Sequence, residues 1–145
     1  MTFGTTENGT THMRLFGIED LWGNIYDWVD GLTIDASRNY VYSWNSFSNE
    51  GVTPTYSTVS NGYSSNTDGY ITRVIGNSSI GFMPSTVFGG STTTSWADYV
   101  FVNGSTVLRY GGPWGDGDKA GIFMSDCKRN TSTADNYNGA RLSYV

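Results

Sequence analysis

Few residues in this chain can do chemistry, and their spacing limits what they could do. Asp116-Gly117-Asp118 puts carboxylates at alternate positions, as a Ca²⁺ loop does. No closing Glu follows and the further oxygen ligands are missing, so the segment reads as a solvated loop. Cys127 sits next to Lys128 and Arg129, cations that lower a thiol pKa. No His or Asn/Asp frame accompanies it, so an unreactive thiol is expected. His12 stands beside Thr10 and Thr11 and reads as structural or exposed. With one cysteine, no internal disulfide and no CxxC metal knuckle can form. With one histidine, most Zn, haem and Ser-His chemistry is excluded. Acids cluster at Glu19-Asp20, Asp27 and Asp30. With 13 Asp and Glu in the chain some facing pair always exists, so this signals no glycosidase. Gly111-Gly112-Pro113-Trp114-Gly115 matches neither phosphate-cradling pattern. No metal and no cofactor are expected.

What remains is two mixed polar segments near the C-terminus, 115–119 and 125–138. Rigid punctuation bounds them: Gly-Gly-Pro-Trp before, Ala120-Gly121-Ile122-Phe123 between, Gly139-Ala140-Arg141-Leu142 after. Polar loops with an occasional Tyr, held on an aromatic frame, are a common way to build a binding surface. The plain alternative is two ordinary solvent-facing loops.

The elements that must position these loops read mostly as strands. Gly17–Trp22 is the best short helical turn, stopped by Gly23-Asn24. Ile25–Asp30 is aromatic and β-branched, a strand pattern. Thr33-Ile34 and Tyr40–Tyr42 predict a second strand around a turn at 35–39. Residues 43–95 are polar and weakly periodic, with short extended pieces at 70–75 and 86–88. Their rings, Trp44, Phe47, Tyr56, Tyr63, Tyr70, Phe82 and Phe88, are expected to anchor loops to a core. Tyr99–Val102, the turn pair Asn103-Gly104 and Val107–Tyr110 predict a β-hairpin. Gly121–Met124 and Ala140–Val145 read as further strands.

Composition bounds the class. The chain has 145 residues, one domain's worth, 1–145. It contains 17 Ser, 18 Thr, 12 Asn and 19 Gly, yet 15% aromatics, too many for a disordered chain. A net charge of -5 argues against nucleic acid as a partner. No apolar run approaches a membrane span, so no membrane insertion is expected. Residues 1–9 show neither the basic nor the apolar region of a signal peptide.

One resemblance adds to this. Gly17-Ile18-Glu19-Asp20-Leu21-Trp22-Gly23-Asn24-Ile25-Tyr26-Asp27-Trp28 resembles the G-(L/I)-x-D-(M/L)-x-G-N-(V/I)-x-E/D-W motif of C-type lectin folds of the formylglycine-generating-enzyme type. Arg109-Tyr110-Gly111-Gly112-Pro113-Trp114, Ala120–Phe123 and Gly139–Leu142 are similar to that fold's closing signature. Pro113 stands where the family has Ser. The family's N-terminal portion is mostly missing, so the chain is expected either to be a fragment or to draw its first strand from residues 1–16. The resemblance implies an α+β C-type lectin fold: small twisted antiparallel sheets, little helix, long ordered loops. Trp22, Trp28, Trp114, Phe123 and Leu142 would lie in its core.

The enzyme branch of that family activates oxygen at a metal held by cysteines, and a lone Cys127 does not supply them. The other branch resembles variable proteins of diversity-generating retroelements and phage tail receptor-binding proteins. That branch implies a ligand-recognition domain on a virion tail or bacterial cell surface, without enzymatic activity. Its partner would be a host cell-surface protein or glycan, beside other tail or surface structural proteins. The expected ligand face is Gly115, Asp116, Asp118, Ser125, Cys127, Arg129, Asp135, Asn136, Tyr137 and Asn138. Most of these residue types are reachable from an asparagine codon through its adenines, as that branch's diversification would require. The alternatives are a structural virion decoration domain without a ligand and a degenerate enzyme of the formylglycine-generating type.

Overall fold

The computed structural model describes residues 6–7, 10–11, 14–15, 18–45, 56–59, 62–63, 67–93, 96, 98–104 and 106–139, with side chains from residue 20 onward. The fold is mostly β with very little helix. Two short antiparallel ribbons come first: β1 (Thr6–Glu7) with β2 (Thr10–Thr11), then β3 (Arg14–Leu15) with β4 (Ile18–Glu19). The helical turn expected over 17–22 is therefore not formed: Ile18 and Glu19 are strand and Asp20 takes a positive φ of 54°.

Among the described residues the main sheet is eight-stranded. It is built from β5 (Tyr26–Ile34), β6 (Tyr40–Tyr42), β7 (Ser57–Val59), β8 (Gly69–Tyr70), β11 (Tyr99–Phe101), β12 (Thr106–Gly111), β13 (Gly121–Asp126) and β14 (Asn138–Gly139). Its order is β7-β6-β5-β12-β13-β11-β8, with β14 added parallel to the start of β5. A separate hairpin joins β9 (Arg73–Asn77) to β10 (Gly81–Thr86). Among the described residues the one helical element is a 3-10 helix, Trp114–Lys119, between β12 and β13.

The turn at 35–39 forms as its residues suggest. The Asp35 carboxylate accepts from the Asn39 amide at 2.9 Å, and Arg38 takes the left-handed φ of 65°. Thr33 and Ile34 close β5 rather than opening a second strand. Asn103-Gly104 also reverses the chain, but β11 and β12 do not pair with each other. β13 lies between them, parallel to β11 and antiparallel to β12.

Alternation along these strands divides the sheet into two faces. One face carries the core of Ile34, Tyr40, Val59, Tyr63, Ile71, Met83, Val87, Val100, Val102, Leu108 and Cys127. Tyr40 donates from this core to the Pro84 carbonyl at 2.6 Å, and Tyr63 shares a hydrogen bond with Ser125 at 3.0 Å. Of the rings expected to anchor 43–95, Tyr56 and Tyr63 are buried, while Trp44, Phe82 and Phe88 are exposed. Trp22 and Trp28 are half-buried, and Phe123 packs against the core while half-buried. Phe47, Ala140–Val145 and Leu142 within it lie outside the described residues, as does His12.

Trp114 departs from the expected core set: it is 64% exposed. Gly111 and Gly112 both have positive φ, 92° and 76°, and Pro113 follows. They turn the chain outward into a 3-10 helix with no buried residue, and Trp114 is carried to the surface with it.

A candidate ligand-binding cleft

Pairing register builds the cleft floor. Phe101 is opposite Asp126, Asp126 opposite Arg109, and Arg109 opposite Trp28. These four residues form one row across β11, β13, β12 and β5, on the face away from the core. Side chains directly opposite on neighbouring strands stand close enough to interact. Arg109 accordingly ion-pairs with Asp126, and its guanidinium lies 5.3 Å from the Trp28 ring centroid. Tyr26, two residues along β5, brings its ring within 4.0 Å of the same guanidinium.

Arg109 is only 2% exposed, so its charge must be compensated. Besides Asp126, it donates from Nη1 to Asn138 Oδ1 and lies 4.0 Å from the Asp135 carboxylate. This one side chain ties β5, β13, β14 and the 127–137 loop to its own strand, β12. Arg109 Nε and Asn138 Nδ2 are buried without a hydrogen-bond partner among the described residues.

Above this floor is an open cleft of about 430 Å³. Tyr26, Phe101, Arg109 and Asp126 line its base. Pro113, Gly115 and Asp116 form one wall; Lys128, Arg129, Asp135 and Tyr137 form the other. Tyr26 donates its phenolic hydrogen to Asp116 at 3.0 Å, which holds the 3-10 helix against β5. Burial first, then the carboxylates of Asp126 and Asp116, push the Tyr26 phenol far above its ordinary range, with Arg109 opposing. It therefore stays a neutral donor. Lys128 pairs with Asp68 and lies 5.8 Å from the Phe101 ring centroid. Trp114 and Tyr137 meet at the rim with centroids 6.1 Å apart.

The structure thus gathers five of the ten expected ligand residues into one cleft: Gly115, Asp116, Arg129, Asp135 and Tyr137. Asn138 stands behind the cleft as an acceptor for Arg109. Asp118 and Asn136 are exposed but outside the cleft lining. Ser125 and Cys127 correct the expectation outright, because both are fully buried. The reason is strand phase. β13 alternates, so Asp126 faces the cleft while Ser125 and Cys127 face the core. Burial, then the Asp126 charge, pushes the Cys127 thiol well above its usual range, opposite to what neighbouring Lys128 and Arg129 suggest in sequence.

Tyr26, Phe101, Arg109 and Pro113 lie outside the two polar segments, and Asp126 and Lys128 lie in the second but not among the ten expected residues. The strand alternation held a signal for them: in Val107-Leu108-Arg109-Tyr110, the residue opposite in phase to Leu108 is a charged one.

The arrangement offers hydrogen-bond donors and acceptors, both signs of charge and aromatic edges in a concave site. Among the described residues no group of three or more His, Cys, Asp or Glu side chains could hold a metal ion. Nor is any helix there long and apolar enough to cross a membrane. In comparisons with known proteins, no family model, no curated protein and no solved structure matches the chain.

Proposed function

We propose that this chain is a ligand-recognition domain of C-type lectin type, belonging to a phage tail or a bacterial surface adhesin. It binds a host cell-surface protein or glycan in the cleft and makes no covalent bond to it. The observation that carries this reading is the meeting of two polar segments at one concavity. β13 separates Gly115-Asp116 from Arg129–Tyr137 in sequence, yet both line the same cleft. The floor beneath them is a cross-strand row tied by a buried ion pair, so little of the site must be ordered on binding. Tyr137 and Trp114 supply large rings with few rotatable bonds, and Arg129, Asp116 and Asp135 supply polar contacts.

The test is adsorption of labelled protein to a panel of bacterial strains, followed by glycan and surface-protein arrays. A strain or array element retained by the wild type should lose at least about tenfold in affinity with Tyr137→Ala or Arg129→Ala. Both side chains are exposed, so the melting temperature should hold. Full retention by both variants would remove the cleft from the binding mechanism.

A further inference from the structure

A second concavity lies on β5, away from the cleft residues. β5 pairs with β12 up to Val29 opposite Leu108, and pairing resumes at Thr33 opposite Val107. Asp30, Gly31 and Leu32 therefore bulge from the ladder between two consecutive partners. Gly31 has a φ of 76°, a conformation that favours glycine. The Gly31 carbonyl accepts from the Ser43 amide at 2.8 Å, and Leu32 pairs with Tyr42, so β6 holds the bulge in place. Bulges of this kind re-aim side chains, often beside functional sites.

The bulge opens a pocket of about 250 Å³. Its wall combines Asp30 and Leu32 from the bulge, Tyr42 and Trp44 from the end of β6, and Ile80 from the β9–β10 turn. The Tyr42 and Trp44 rings stand edge to face at 69°, with centroids 6.1 Å apart. Trp44 is 72% exposed, a large ring left in solvent at the pocket mouth. Asp30 Oδ1 accepts from the Gly31 amide at 2.9 Å, which fixes the carboxylate at the bulge.

We infer that this pocket binds a small alkylammonium cation of the choline type, through the Tyr42 and Trp44 rings and the Asp30 carboxylate. Aromatic rings attract a cation through their electron-rich faces, and two of them line this pocket beside a carboxylate that supplies the opposite charge. Val29, Leu32 and Ile80 suit the methyl groups of such a cation. A sugar would need several polar partners in one plane, and this wall is chiefly apolar. An anion would meet Asp30 and a chain of net charge -5.

The test uses the whole chain and choline chloride, followed by calorimetry and by Trp fluorescence. Its neutral isostere 3,3-dimethylbutanol and glucose are titrated in parallel. Choline should bind saturably, and the isostere should bind at least about tenfold more weakly. Trp44→Ala and Asp30→Asn should each weaken choline by about tenfold. Both residues are exposed, so both variants should keep the wild-type melting temperature. Tyr137→Ala, in the other site, should leave choline binding unchanged. Equal binding of choline and its isostere, preference for glucose, loss of choline binding in Tyr137→Ala, or no saturable choline binding would each overturn the inference.

Discussion

At the scale of single residues, position relative to the two sheet faces decides behaviour more than residue type does. Cys127 shows this directly. It is fully buried, its thiol pKa is pushed well above the ordinary value by burial, and its amide donates to the Phe101 carbonyl at 2.8 Å. Thiolate is the reactive form, so Cys127 should resist a thiol reagent in native buffer and react as one equivalent in denaturant. Rapid native labelling, timed by absorbance, would contradict the burial. Arg109 is the opposite case, a charge made tolerable by its partners. Replacing it with Met should destabilise the fold by roughly 3–5 kcal/mol, because Asp126 is left buried and unpaired. Pairing Arg109→Met with Asp126→Leu should recover much of that loss in urea unfolding. Failure to recover any would mean that the ring contacts with Tyr26 and Trp28, not the charge balance, dominate. Asp98 provides the pH dependence. Burial raises its carboxyl pKa above the ordinary value, although the Phe123 amide donates to it at 2.6 Å and pulls the other way. The folded state then holds that proton more tightly than the unfolded chain, so this group's contribution to stability falls as pH rises. The fall begins near the ordinary carboxylate value of about 4 and ends above the raised one. Urea midpoints from about pH 4 upward should show the wild type losing ground against Asp98→Asn as pH rises. Parallel curves would refute that sign.

At the scale of elements, the β12–3-10–β13 connection is the piece that shapes the cleft. Gly111 and Gly112 make its bend, and the Gly23 amide donates to both carbonyls, at 3.0 and 3.1 Å. A Cβ at Gly112 would stand 3.0 Å from the Ala120 Cβ and 3.3 Å from the Met124 sulfur, on a backbone of positive φ. Gly112→Ala should therefore cost about 1–3 kcal/mol, read as a lower denaturation midpoint. A neutral result would show that the bend relaxes freely. The same region shows what could be read from sequence and what could not. The strand character of Ile25–Asp30, Tyr99–Val102, Val107–Tyr110 and Gly121–Met124 was legible, because aromatic and β-branched residues crowd there. The hairpin across Asn103-Gly104 was not, because a turn signal is local while the insertion of β13 between β11 and β12 is not. Five of the ten expected cleft residues were legible as polar loops beside rigid framework. Ser125 and Cys127 failed by one step of strand phase, which reverses the face of every side chain. Trp114 failed because a motif position suggests a core role that the Gly-Gly-Pro bend does not permit here.

For the whole molecule, the eight-stranded sheet sets how stability is distributed. β5, β12 and β13 are paired on both sides, and the core residues Ile34, Leu108 and Val100 lie on strands of this sheet with no exposed surface. Among the described residues, β7 and β8 are the edges, two or three residues long, each with one partner strand in the sheet. Amides leave such a sheet in order of how many neighbours must open first. Hydrogen exchange should therefore be slowest at Leu108, Arg109 and Met124. It should be distinctly faster at β7 and β8, and faster still in the exposed 129–132 segment at the cleft rim. Nearly all of these pairings are distant in sequence, β5 with β12 and β8 with β11 among them, so the central protection should be lost cooperatively, in a single step. The rim loop would then exchange independently of that step, since it contributes little to the core that holds β12 and β13. Uniform protection from β7 through β13 and on into the rim would mean that the loop belongs to the cooperative unit. In that case substitutions at Arg129 or Tyr137 would change stability along with binding.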